Sequence, residues 1–158
     1  MTKGENVGKY FVMSRRFDKQ SASDFGLVQK NENVAINLSD DSTWIKAELY
    51  DFGWGSEHGF YKLPLPCFST LFELVLHSDD LDDMYGAAAV ILSKYPDMLL
   101  EKCKTILNDS EKKEESERLV SIFNLKIPIN RSPTNHKTIQ QIKEDFARWE
   151  TLSELARK

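Results

Sequence analysis

The hydrophobic pattern of this chain changes period near Pro66. Up to that point apolar residues tend to alternate with polar ones, the spacing of strands with unlike faces. Beyond it they return every three or four positions, the spacing of helices that bury one stripe. Strand-like segments gathered at one end and helix-like segments at the other imply an α+β fold. A length of 158 residues suits a single domain, 1–158, able to bury a core of its own. The expected architecture is a small N-terminal antiparallel β-sheet packed on a C-terminal bundle of about four to five helices. Its parts are a β-rich region over 1–65, a helical region over 66–125, a linker over 126–137 and a C-terminal amphipathic helix over 138–158.

Within the β-rich region, "KYFVMSRRF" (9–17) sets Phe11 and Met13 on one face and Tyr10 and Val12 on the other, which suits an edge or partly exposed strand. "FGLVQKNENVAINL" (25–38) predicts a hairpin, with Leu27 and Val28 paired to Val34, Ile36 and Leu38 across the asparagine-rich turn Lys30-Asn31-Glu32-Asn33. "TWIKAELYDF" (43–52) alternates Trp44, Lys46 and Glu48 with Ile45, Ala47 and Leu49, a strand with one wet face. "DFGWGSEHGFY" (51–61) then admits two readings. In the first, Gly53, Gly55 and Gly59 supply unusual backbone angles in a loop while Trp54 or Phe60 covers the sheet edge. In the second, Trp54 and Phe60 wall a ligand pocket and Glu57 with His58 form a proton-transfer pair. Against the second stands the geometry of extended chain, whose successive side chains point to opposite faces.

The helical signals are sharper. "CFSTLFELVLH" (67–77) spaces Phe68, Leu71, Phe72, Val75 and Leu76 as a core-facing stripe. "SDDLDDMYGAAAVILSKY" (78–95) opens on a polar cap and acids, carries small residues that let a neighbour approach closely, and is stopped by Pro96. "PDMLLEKCKTILN" (96–108) starts with proline at its first position. "DSEKKEESERLVSIFNL" (109–125) begins as a solvated charge run and docks through Leu119, Val120, Ile122 and Phe123. In 138–158, Ile139, Ile142, Phe146, Trp149, Leu152 and Leu155 form one stripe; it either packs on the parent domain or docks on a second copy, so a homo-oligomer through this helix is open.

The net charge of −4 conceals an asymmetry: residues 66–110 carry three basic and eight acidic side chains, residues 111–158 ten and eight. An acidic centre argues against nucleic acid as partner, because duplex affinity comes from Lys and Arg neutralising phosphates. The C-terminal cations Lys137, Lys143, Arg148, Arg157 and Lys158 are interspersed with acids, and nucleic-acid binding through them ranks last. No stretch of 18 apolar residues and no signal-peptide pattern is present, so no membrane partner and a cytoplasmic location are expected. Cys67 and Cys103 lack ligand spacing and are read as buried free thiols.

The acids concentrate at Asp79, Asp80, Asp82 and Asp83, where Leu81 and Met84 break the alternation a calcium loop requires; no metal and no cofactor is expected. Carboxylates favour the positive end of a helix, yet four exceed what capping requires, and the surplus faces water or a cationic partner. Phosphate-loop, dinucleotide and G-x-S-x-G patterns are absent. Cys67 with His58 or His77, and Ser69 with His77, lack an activating environment in the sequence, so no catalytic residue is assigned.

An acidic chain of this length, with a β portion followed by a helical portion containing "DDLDDMYGAAAVIL", resembles the small bacterial immunity proteins that neutralise polymorphic toxins, and more distantly helical-repeat modules. The likeness is one of size, charge and layout, and no family site residues are carried over. What it implies is a non-catalytic protein-binding module, an inhibitor of a toxin or enzyme with a basic surface. Asp79, Asp80, Asp82 and Asp83 would face that surface, with Trp54 and Phe60 as aromatic anchors. The alternative is a small enzyme or ligand-binding protein using 51–61, with Glu57 and His58 at its centre.

Overall fold

A computed structural model describes residues 9–14, 21–51 and 56–158. The fold is α+β, an N-terminal sheet followed by five helices packed against it. The strands are β1 (Phe11–Met13), β2 (Val28–Gln29), β3 (Val34–Asn37), β4 (Ser42–Asp51) and β5 (Ser56–Lys62), all antiparallel in the order β1-β5-β4-β3-β2. The helices are α1 (Phe68–His77), α2 (Leu81–Lys94), α3 (Pro96–Leu107), α4 (Lys113–Phe123) and α5 (Ile139–Ala156).

Asparagine and aspartate make the turns, as their side chains predict. The Asn31 carboxamide oxygen accepts from the N–H groups of Asn33 (2.9 Å) and Val34 (3.1 Å), closing the β2–β3 hairpin. Asn37 and Asp40 do the same for Ser39 and Ser42 between β3 and β4.

The loop reading of 51–61 is corrected by β5, a seven-residue strand hydrogen-bonded to both β1 and β4. Phe52, Gly53, Trp54 and Gly55 lie outside the described residues. β5 is buried on both faces over Glu57, Gly59 and Phe60, so the half-wet alternation that announces a strand is missing there. Gly59 is required for space: a Cβ would lie 2.1 Å from the Val12 carbonyl oxygen.

Strand alternation feeds two cores. Phe11, Met13 and Leu49 turn toward the helices and join the main core, which includes the fully buried Leu71, Val75, Ile91, Leu99, Leu100, Leu119 and Trp149. Val12, Ala35, Trp44 and Phe60 turn the other way, under Leu27 and a short 3-10 turn, Ala22–Phe25. α2 lies on β1 and β4, and its small residues permit the approach: a Cβ on Gly86 would come 2.3 Å from a Phe11 ring carbon.

The segment 126–137 is clamped to the body. Arg131 donates to the carbonyls of Phe123, Asn124, Ile127 and Ile129, closing the C-terminal end of α4, and its guanidinium lies 5.1 Å from the Trp149 ring centroid. Ser132 Oγ links Asp97 to the indole N–H of Trp149. The α5 stripe therefore docks within its own chain through Trp149 and Leu152, while Ile139 (75 % exposed) and Phe146 (38 %) remain on the surface. Among the described residues no helix is long and apolar enough to cross a membrane.

Candidate functional site

The acidic cluster begins where α2 meets β1. In β1 the N–H groups that point toward β5 belong to the same alternate set as Ser14, which donates to the His58 carbonyl at 2.9 Å; those of Phe11 and Met13 point outward, where a further strand would lie. Carboxylates occupy that place. Buried Asp83 accepts from the Tyr10 N–H (2.6 Å) and the Phe11 N–H (2.9 Å) through one oxygen, and Asp82 accepts from the Met13 N–H at 3.2 Å. Asp80 caps α2 by accepting from the Asp83 N–H at 3.0 Å and pairs with Lys9 at 2.7 Å. Three of the four carboxylates expected to face a partner are thus engaged with their own chain, closing a sheet edge that would otherwise present unpaired donors. Asp79 is the exposed member.

Burial pushes the Asp83 carboxyl up to about 6, against the pull of the Tyr10 and Phe11 donors. At Asp80 burial also acts upward, but Lys9 and the Asp83 N–H outweigh it and hold the group below the usual carboxylate range.

The residues singled out in 51–61 do not converge. Phe60, expected as a surface anchor or pocket wall, is 4 % exposed and sits edge-on to Phe25 with ring centroids 6.2 Å apart. Glu57 is buried and its neighbour His58 exposed, on opposite faces of β5 as strand geometry dictates. Trp54 lies outside the described residues.

Of the two thiols expected to be buried, only Cys103 is, and burial pushes it up to about 12. Cys67 is exposed at the N-cap of α1, with Sγ 3.5 Å from Ser69 Oγ and 3.7 Å from Thr70 Oγ1. Hydrogen bonding from Ser69, then from Thr70, brings its thiol down to about 7. The sequence signal for this was the placement of Cys67 between Pro66 and a helix start, with Ser69 and Thr70 in the first turn.

Two grooves flank α4. One, of about 460 Å³, lies against the end of α1 and is lined by Leu76, His77, Glu114, Glu115, Glu117 and Arg118. Arg118 is spent on the carbonyls of Val75 (3.3 Å) and Ser78 (2.9 Å) at the end of α1, where exposed Asp79 follows in the chain. Glu114, Glu115 and Glu117 have no lysine or arginine at salt-bridge distance among the described residues. These glutamates were legible only as a solvated run. On the other side of α4 a groove of about 730 Å³ runs toward the C-terminal end of α5.

The C-terminal cations are largely committed. Lys137 and Arg148 both bond Asp145, at 2.5 Å each, and Arg157 donates to the Lys126 carbonyl at 3.0 Å. Among the described residues no three His, Cys, Asp or Glu side chains are grouped to hold a metal ion. No family model, curated protein or solved structure matches the chain.

Proposed function

We propose that this chain is a non-catalytic protein-binding module that masks a basic surface of another protein, in the manner of an immunity-type inhibitor of a toxin or enzyme. The observation that carries this reading is the groove between α1 and α4, where Glu114, Glu115 and Glu117 have no lysine or arginine at salt-bridge distance among the described residues; exposed Asp79 follows the end of α1. Carboxylates displayed on one rigid helix cost little reorganisation on binding, and they steer a cationic protein toward the groove. Asp80, Asp82 and Asp83 serve the reading indirectly, by fixing the turn from which Asp79 projects. Trp54 stays a candidate aromatic contact, and Phe60 belongs to the core.

The test is affinity capture from the native host, with the product of the neighbouring gene as first suspect. The captured protein is then titrated against the wild type and a variant combining Asp79→Asn, Glu114→Gln, Glu115→Gln and Glu117→Gln. The expected complex weakens with added salt and loses about tenfold or more in affinity in the variant, since several rim ion pairs go at once. A complex indifferent to both salt and the four substitutions overturns the reading.

A further inference from the structure

The groove on the opposite side of α4 has different chemistry. Its floor is apolar, made by Leu107, Val120, Ile127 and Leu155, with Ile127 53 % exposed. Around it stand Lys113 from the start of α4, Lys126 from the clamped segment and Lys158 from the end of α5. None of these three ammonium groups has a carboxylate at salt-bridge distance among the described residues, although Glu117 lies four positions from Lys113 on the same helix. Among the described residues Glu117 is the single acidic side chain in the lining.

We propose that this groove takes an acidic amphipathic helix of a partner protein, its apolar stripe on the floor and its carboxylates meeting Lys113, Lys126 and Lys158. An apolar floor between helices is the geometry that receives a helix by its i, i+3, i+4 anchors. The lining runs along α4 from Lys113 to Asn124, roughly 16 Å at 1.5 Å per residue, which is about three turns of a docked helix. The lysines come from three separate elements around the rim, a distribution that suits charges spread along a segment rather than one compact anion. The inference rests on the reading of the chain as a protein-binding module and adds a second contact of opposite sign, so that α4 is a ridge between an acidic and a basic groove.

The probe is a synthetic helical peptide with leucine on one face and glutamate on the other, titrated into the full chain by fluorescence anisotropy. Two control peptides replace glutamate by lysine, or keep the composition and scramble the stripe. Saturable binding of the first peptide only is expected. Combining Lys113→Glu, Lys126→Glu and Lys158→Glu weakens it by about tenfold or more, and Ile127→Asp, at an exposed floor position, does the same. Circular dichroism confirms that both variants remain folded. No saturable binding, equal binding of the lysine or scrambled peptide, or binding unchanged by either variant overturns the proposal. A variant with Asp79→Asn, Glu114→Gln and Glu115→Gln, which leaves Glu117 in place because it lines both grooves, binds the acidic peptide as the wild type does, and the lysine variant keeps the complex with the basic partner. Failure of this groove is thereby distinguished from failure of the other.

Discussion

Asp83 shows how one side chain decides what a whole cluster is for. Its carboxylate receives the backbone donors of Tyr10, just before β1, and of Phe11 within it, and replacing it by alanine leaves both N–H groups without that acceptor in a largely buried setting. Asp83→Ala is expected to cost about 2 to 4 kcal/mol in urea unfolding, whereas Asp83→Asn, which keeps an acceptor oxygen, costs less. The pH dependence has a definite sign. A carboxyl raised to about 6 in the folded state, from an ordinary 3.8, makes the folded protein hold the proton more tightly than the unfolded chain. Its contribution is therefore fully present below about pH 4 and is lost as pH rises through about 6. The melting-temperature difference between wild type and Asp83→Asn should shrink in favour of the variant across that window; a difference constant from pH 4 to 7 counts against the assignment.

Gly86 is a second case where local preference and packing disagree. Glycine to alanine inside a helix ordinarily stabilises by about 1 kcal/mol. Here the new methyl would meet the Phe11 ring at 2.3 Å, so Gly86→Ala is expected to destabilise by about 1 to 3 kcal/mol, read from the shift of the urea midpoint. The run "YGAAAVIL" announced a close approach in advance, but not that the visitor would be Phe11.

At the scale of elements, α5 is a helix with two regimes. Its second half is fixed by buried Trp149 and Leu152, while its first half carries Ile139 and Phe146 at the surface under a reciprocal cap between Thr138 and Gln141. Removing the cap with Thr138→Ala, worth about 1 kcal/mol, should fray the first turns and lower helical circular dichroism without altering the Trp149 environment. Arg131 works at the other end of α4, where one planar fork serves four carbonyls. Lysine lacks that geometry, so Arg131→Lys should lower stability by about 1 to 3 kcal/mol rather than behave conservatively.

The elements themselves were largely legible. The stops at Pro66 and Pro96, the Asn31 turn and the stripes of α1 to α5 are local signals, carried by neighbours within a few positions. β5 escaped because Gly59 and Phe60, on opposite faces, are both buried, which breaks the alternation by which a strand is recognised. The clamped segment 126–137 escaped because two prolines and no period describe a linker and a pinned loop equally well; only Arg131 and Ser132 meeting Trp149 tell them apart.

For the whole molecule, the sheet and the helices are joined by contacts that neither possesses alone: Asp82 and Asp83 on the β1 edge, Phe11 against Gly86, and Tyr50 donating to the Ile122 carbonyl. Burial pushes the Tyr50 hydroxyl up to about 12, consistent with a donor held inside. Such cross-links predict one cooperative transition, with amides of β5, α2 and α3 exchanging at the same limiting free energy; a sheet that opens well before the helices contradicts it.

The order and kind of elements, the helix caps and the hairpin turn were set by the sequence itself, because periodicity and capping depend on residues adjacent along the chain. Which charges are displayed was decided by the tertiary structure alone. Asp83 and Glu115 look alike in sequence, and a carboxylate becomes interior or surface according to what the fold brings opposite it: for Asp83 the outer edge of β1, for Glu115 a groove beside α1 whose one arginine, Arg118, is turned to the carbonyls of Val75 and Ser78. Exposure of Cys67 followed the same rule, since a helix start is local but what packs over it is not.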